Sequence, residues 1–310
     1  MAKYLVTGGA GFIGSHLVRA LLARGDSVVV LDNLSTGRQE NVARGAKLVV
    51  GDILSRAVVN RLMQDADACF HLAAVASVQK SVEDWSGTHR INLTGTINLL
   101  DAARERGVPM VYASSAAVYG NPNKVPTDEG VAKIPLTAYG ADKYGCELHA
   151  HVAGVTFGVP STGLRFFNVY GPGQDPSSPY SGVISIFADR MAKGLPIKIY
   201  GDGAQVRDFV HVRDVVRHLM AAVNVASASA PVLNVCTGRP TSILDLARVM
   251  KELLRSDSEI VHAEARAGDI RVSLGCARRA TLALGVSADL DIESGLGWIA
   301  GDARPALLAA

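Results

Sequence analysis

At 310 residues the chain is long enough for one large α/β unit with a smaller appended region. A hydrophobic share of 48% against 19% charged residues excludes a disordered chain, and a net charge of +2 leaves no basic stripe for a nucleic acid. Four isolated cysteines lack the paired spacings of a zinc site or redox dithiol, no run reaches the roughly 18 apolar residues of a membrane span, and no signal-peptide pattern opens the chain. The expectation is a cytoplasmic protein with no metal and neither a nucleic-acid nor a membrane partner.

In chain order the pattern predicts a strand at 4–7, a helix at 13–23 and strands at 28–32, 47–50 and 69–72, with helical stretches between the later ones. A helix at 92–106, a strand at 110–114, a helix at 139–155 and a strand at 161–166 follow. Alternation of β-branched runs with helical patterns marks βαβ units, so the expected fold is α/β, a doubly wound parallel sheet of six or seven strands. This Rossmann domain spans 1–167. Gly171, Pro172, Gly173, Pro176 and Pro179 then crowd a loop that sets the boundary. A smaller α/β substrate domain over 168–310 carries a helix at 183–193, a strand at 197–200, a helix at 212–223, a strand at 232–235 and helices at 243–254 and 277–284. The helix at 212 and the strand at 232 can equally pack back on the first domain.

The first strand runs into Thr7-Gly8-Gly9-Ala10-Gly11-Phe12-Ile13-Gly14. Gly8, Gly11 and Gly14 suit a tight turn, close approach of backbone to a pyrophosphate, and close packing of helix on strand. Amides at the helix start then face the phosphates, where the helix dipole favours negative charge. Asp32, closing the second strand, can accept hydrogen bonds from the adenosine ribose and repel a 2′-phosphate, which favours NAD over NADP. Arg38 weakens that preference, although an arginine after Ser-Thr-Gly is commonly just solvated. Asp52, after the third strand, can bond the adenine amino group or cap a helix ahead of Ser55, and both readings stay open.

Tyr139 and Lys143 lie four apart on the helix after the fifth strand, and so share one face. A lysine ammonium favours the phenolate, which makes the pair a general base near neutral pH. Ser114 and Ser115 close the fifth strand, at the sheet end where ligands sit in doubly wound folds. The plainer alternative is a pair of turn serines. No Gly-x-Ser-x-Gly elbow supports a nucleophile triad, and His71 reads as a satisfied core histidine.

Together these motifs resemble the extended short-chain dehydrogenase/reductase family, and within it the UDP-glucose/UDP-N-acetylglucosamine 4-epimerases. Further matching segments are Asp32–Gly37, Gly51-Asp52-Ile53, His71–Ala74, Ser114–Gly120, Arg165–Pro172, Gln205–His211 and Arg266-Ala267-Gly268-Asp269. The resemblance implies bound NAD, bordered also by Phe12, Ile13, Asn33, Ser35, Gly37, Ile53, Leu72, Ala73, Ala74, Ser114 and Phe166. It implies Ser115, Tyr139 and Lys143 as the catalytic set, Asn168, Arg207 and Arg266 on the uridine diphosphate, Asp269 on the ribose, and Ser77 and Val78 in the sugar-contacting segment. Two arginines are what a diphosphate needs for charge-assisted bonds. Ser273 falls where a bulky residue in the family restricts the pocket to plain hexoses, so the N-acetyl sugars are expected to fit alongside UDP-glucose and UDP-galactose. A homodimer through the helices after Ser77 and after Tyr139 is the expected assembly.

The implied reaction is C4 epimerisation of a UDP-hexose through a transient 4-keto sugar. Related dehydratases and decarboxylases carry carboxylates directly after the catalytic hydroxyl, where this chain has Ala116 and Ala117. Ala76 stands where galactose-type epimerases often have lysine, and Gly275-Cys276 replaces Ala-Asp before a helix. A reductase or dehydratase of the same superfamily, and a silent NAD-binding regulatory protein, remain the competing functions.

Overall fold

Runs of Val, Leu and Ala that bury on both faces form the strands, the pattern of a parallel sheet covered by helices on each side. The computed structural model describes residues 1–178, 181–266 and 268–307, with side chains through Ile299. Pro179 of the expected loop and Ala267 of the Arg-Ala-Gly-Asp segment lie outside the described residues. The first half contains β1 (Lys3–Thr7), α1 (Phe12–Ala23), β2 (Ser27–Asp32), β3 (Lys47–Val50), α2 (Arg56–Gln64), β4 (Ala68–His71), α3 (Val78–Glu83) and α4 (Trp85–His89). A π-helical turn (Arg90–Thr94) joins α4 to α5 (Gly95–Arg104), followed by β5 (Met110–Ser115), α6 (Ala138–Phe157) and β6 (Ser161–Phe166).

The remainder comprises β7 (Asn168–Tyr170), α7 (Val183–Ala192), β8 (Ile197–Tyr200), β9 (Val206–Arg207), β10 (Phe209–His211), α8 (Val212–Ala222) and β11 (Val232–Val235). After these come β12 (Thr241–Ser242), α9 (Ile243–Leu254), β13 (Ile260–Ala263), β14 (Val272–Ser273), α10 (Arg278–Leu284) and α11 (Ile292–Leu307).

Seven parallel strands form the main sheet in the order β11-β6-β5-β4-β1-β2-β3. The order reverses between β1 and β4, which opens a crevice at their carboxyl ends where ligands bind in such sheets. One face packs on α1 and α8 through Leu17, Val18, Leu21, Val215 and Leu219. The other packs on α2, α5 and α6 through Val59, Met63, Leu99, Leu100 and Ala150. Val232–Val235 joins the sheet beside β6, so the chain returns to the large sheet after leaving it. A separate core built from Ile184, Phe187, Ile199, Leu246 and Met250 holds α7, α9 and β8 together. The described residues contain no helix long and apolar enough to cross a membrane.

The helix expected at 92–106 differs most from its prediction. Helical structure begins seven residues earlier, at Trp85, and passes through the π turn at Arg90–Thr94 before ending at Arg104. The cause is Asn92, which is buried and exchanges two hydrogen bonds with the backbone of Val75, Val75 N to Oδ1 at 2.8 Å and Nδ2 to Val75 O at 3.1 Å. A widened turn lets that amide face inward from a helix surface.

Candidate active site

The glycine turn is shaped by contacts that a side chain would break. Gly8 has φ +71°, and a Cβ there would lie 2.6 Å from the amide nitrogen of Ala73. Gly11 occupies the N-cap of α1 with no side chain capping the helix, so the first amides of that helix stay available to a ligand. Asp32 ends β2 and is buried, its carboxylate accepting from Ala10 N at 3.0 Å and Leu34 N at 2.9 Å. Each carboxylate oxygen has a second lone pair, so both remain able to accept a ribose hydroxyl. Asp52 is not a helix cap. Its oxygens take Leu54 N at 2.8 Å and Asn33 Nδ2 at 3.1 Å, while the N-cap of α2 is Ser55 with no side-chain bond.

His71 lies beneath the turn with both ring nitrogens engaged, Nδ1 to Thr7 Oγ1 at 2.7 Å and Nε2 to Thr96 Oγ1 at 2.9 Å. Thr96 spends its own proton on Asn92 O, so it accepts from His71 Nε2–H and Thr7 donates to Nδ1. Burial, with the Lys143 charge nearby, lowers the His71 pKa to about 3 and keeps the ring neutral.

At the far end of the crevice Thr137 caps α6, accepting from Gly140 N at 3.1 Å, and starts the helix one residue before Tyr139. The Lys143 ammonium donates to Ala113 O at 2.9 Å and sits 5.9 Å from the centre of the Tyr139 ring. Ser115 caps the short 3₁₀ turn after β5, its Oγ accepting from Ala117 N at 3.1 Å. The Ser114 hydroxyl instead turns into the protein and donates to Glu147 Oε1 at 2.5 Å, so it is committed to a buried network rather than to the cavity. Glu147 also holds Arg165 in a two-pronged ion pair at 2.8 and 2.7 Å, and Arg165 reaches Tyr119 Oη at 2.7 Å.

These elements enclose a cavity of about 450 Å³. Lining it are Gly8, Gly11, Phe12, Ile13, Gly14, Asp32, Asn33, Ser35, Gly37, Asp52, Ile53, Leu72, Ala73, Ala74, Ser114, Ser115, Tyr139, Lys143, Phe166 and Asn168. Six expected residues do not line it: Ser77, Val78, Arg207, Arg266, Asp269 and Ser273. Ser77 is buried as the N-cap of α3, accepting from Lys80 N at 3.1 Å, and Val78 is exposed. Arg207 pairs with Asp269 at 2.6 Å and donates to Ile270 O at 2.7 Å, while Arg266 lies 3.9 Å over the Tyr200 ring. Ser273 on β14 aligns with Arg207 on β9, which gathers Arg207, Asp269 and Ser273 at one small sheet.

Sequence reasoning missed the opposite wall, formed by Gly173, Gln174, Asp175, Ser181, Gly182, Val183 and Ile184. It also missed Asp208, a fully buried carboxylate beside Arg207. Asp208 accepts from Thr237 N at 2.8 Å, Thr237 Oγ1 at 2.7 Å, Gly238 N at 2.9 Å and Gly275 N at 3.2 Å. Its sequence signals were a charge inside the apolar Val206–His211 run and its place in the matching Gln205–His211 segment, neither of which gives it a role.

A glycine turn under an open helix end, an acid at the end of β2 and a Tyr-Lys pair at the crevice define an extended short-chain dehydrogenase/reductase with a dinucleotide site. Residues 4–236 match the NAD dependent epimerase/dehydratase family, and the chain belongs to it. Over 296 residues it is 38% identical to a putative UDP-glucose 4-epimerase of Methanocaldococcus jannaschii, covering 94% of this chain and 95% of that protein. The structure of a Thermotoga maritima UDP-glucose 4-epimerase with UDP-glucose superposes with a TM-score of 0.94 at 37% identity, covering 98% and 99% of the two chains. A UDP-N-acetylglucosamine 4-epimerase from Methanobrevibacter ruminantium M1, solved with UDP-N-acetylmuramic acid, gives 0.92 at 33% identity and 97% of each chain. The protein is therefore an NAD-dependent enzyme of the epimerase type.

Proposed function

We propose that this enzyme interconverts the C4 epimers of UDP-hexoses, taking UDP-N-acetylglucosamine and UDP-N-acetylgalactosamine together with UDP-glucose and UDP-galactose. One observation carries the reading. Ser115, Tyr139 and Lys143 meet at one end of a cavity whose lining carboxylates, Asp32, Asp52 and Asp175, all belong to the other end. Epimerisation at C4 needs one base and no second acid, whereas dehydration needs a carboxyl group close to the sugar.

The cavity suits the dinucleotide, because the uncapped start of α1 offers amides to its pyrophosphate and Asp32 retains acceptor capacity for its ribose. When bound, NAD supplies a place for the C4 hydride to go and return from. Tyr139 takes the proton of the C4 hydroxyl, with the Lys143 ammonium beside its ring. Ser115 holds the C4 oxygen and keeps it in line with the phenol. Asn168, Arg207 and Arg266 hold the uridine diphosphate and Asp269 its ribose, while the 4-keto sugar turns over about its phosphate link. Tyr139 then returns the proton to the C4 oxygen as the hydride comes back to the opposite face of C4. Ser77 and Val78 act on the sugar through the position of α3.

Substrate breadth rests on Ser273, whose small side chain leaves space for an N-acetyl group. For assembly, α6 exposes Leu148, Val152 and Val155 at i, i+4 and i+7, an apolar stripe that a second copy of this chain covers in a homodimer. Cysteines without disulfide partners suit the reducing cytoplasm, where we place the reaction. The test is to incubate the purified protein separately with UDP-glucose, UDP-N-acetylglucosamine and UDP-glucuronate and identify products by NMR. C4 epimers of the first two are expected. A steady change in nicotinamide absorbance, or a dehydrated product, overturns the reading.

A further inference from the structure

The cavity is lined by two cationic side chains among the described residues, Lys143 beside Tyr139 and Arg38 at the Asp32 end. Arg38 is built into the nucleotide turn. Its backbone nitrogen donates to Ala10 O at 3.1 Å, and Ala10 N in turn donates to Asp32 Oδ2 at 3.0 Å. Gly37, the preceding residue, packs so closely that a Cβ there would lie 3.0 Å from Asp32 Oδ1. An arginine beside the acid at the end of β2 is the group that accepts a 2′-phosphate in folds of this kind. Taken alone, this guanidinium would offer a 2′-phosphate a partner that offsets part of the Asp32 repulsion.

It is not alone. Asp175, from the loop after β7 and 137 residues further along the chain, ion-pairs with the Arg38 guanidinium, and both residues line the cavity. The Asp175 carboxylate is already fixed before it meets Arg38, since Oδ1 accepts from Ser177 N at 2.9 Å and Ser177 Oγ at 2.6 Å. Oδ2 faces the guanidinium. A fixed anion on the opposite wall both occupies Arg38 and repels any phosphate that approaches it.

We propose that Asp175 is a specificity-determining residue for the cofactor, acting through Arg38: it cancels the one guanidinium able to receive a 2′-phosphate and so makes the site select NAD. Asp32 excludes the phosphate by direct repulsion at the ribose. Asp175 does so from the other wall, by removing the charge that would compensate. The pair is partly exposed, with side chains 56% and 33% accessible, so its contribution is that of a surface ion pair. That corresponds to about a fivefold change in nucleotide preference.

The measurement is nucleotide binding rather than turnover. Dissociation constants for NAD and NADP are obtained by calorimetry on cofactor-depleted protein. The NADP-to-NAD ratio extracted from freshly purified protein gives a second reading. Asp175→Asn keeps the oxygen that Ser177 bonds and removes the charge. It is expected to tighten NADP about fivefold while NAD affinity changes little. Adding Arg38→Ala to Asp175→Asn should abolish that gain. An unchanged preference in Asp175→Asn, or a gain that persists without Arg38, overturns the proposal. Equal weakening of both nucleotides overturns it too, by showing that the pair merely ties two loops together.

Discussion

Glu147→Gln tests whether α6, which carries Tyr139 and Lys143, is held to the sheet by a buried charge. Glu147 lies on α6 one turn beyond Lys143 and two beyond Tyr139, and its carboxylate meets Ser114 on β5 and the Nε and Nη2 nitrogens of Arg165 on β6. The pair is almost completely inaccessible, with side chains 4% and 5% exposed. Replacing one carboxylate oxygen by an amide turns a donor toward the Arg165 guanidinium and leaves that charge buried without its counter-ion. Breaking a buried pair from one side costs about 3–5 kcal/mol. At roughly 2 °C per kcal/mol for a chain of this length, the melting temperature should fall by roughly 6–10 °C in differential scanning calorimetry. Ser114→Ala removes one neutral donor and leaves the ion pair intact, so it should cost about 1 kcal/mol. A Glu147→Gln protein that melts within 2 °C of the parent would refute the argument, because the guanidinium would then have a partner the network does not contain.

Tyr139→Phe should reduce turnover below a tenth of the parent rate while NAD stays bound, since it deletes a proton acceptor and little volume; rate and extracted nucleotide are measured on the same sample. Ser273→Tyr should lower kcat/KM for UDP-N-acetylglucosamine selectively, and a parallel loss on UDP-glucose would instead mean general damage. His71 has a folded-state pKa of about 3 against about 6.5 unfolded, so its stabilising contribution is full above pH 6.5 and is lost as pH falls toward 3. By pH 5.5 that loss is about 1.4 kcal/mol, so the melting temperature of the parent should drop about 3 °C further than that of His71→Asn between pH 7.5 and 5.5. Equal drops would show that His71 titrates normally. Val152→Asp, placed in the exposed stripe of α6, should convert the proposed homodimer to monomers in light scattering, and an unchanged mass would put the interface elsewhere.

Legibility in the sequence followed the physical signal available. The strands at 47–50 and 197–200 stop at Gly51 and Gly201, and those at 161–166, 197–200 and 232–235 start directly after Pro160, Pro196 and Pro231. Strands of two or three residues, such as β9, β10, β12 and β14, are too short for any period to register. Gly87 and Asn92 interrupt the apolar spacing of Trp85–Thr94 and hide the start of that helix. On the cavity wall built from the ends of β1 to β5, each glycine or acid stands at a fixed offset from a strand, so the list could be written from sequence. Nothing in a loop rich in Gly, Pro and Ser says where it returns, and the wall at 173–178 and 181–184 stayed invisible. Side-chain direction was equally hidden: Ser114 and Ser115 are chemically identical neighbours, and the strand sends their hydroxyls to different partners.

The widened turn at Arg90–Thr94 carries one residue more than an α-helix of the same rise would need. Deleting a single residue there would let the segment close as ordinary helix, at a cost paid in phase. Everything from Trp85 to His89 would rotate by about 100° and slide about 1.5 Å relative to α5. His89, now 2.9 Å from Asp142 on α6, would face a different neighbour, and Asn92 would release Val75. The helix would be more regular and the loop at 72–76, which lines the cavity, would lose its anchor. Small insertions and deletions in this stretch are therefore a route by which related chains can re-aim one wall of the site while leaving the glycine turn, Asp32, Tyr139 and Lys143 untouched.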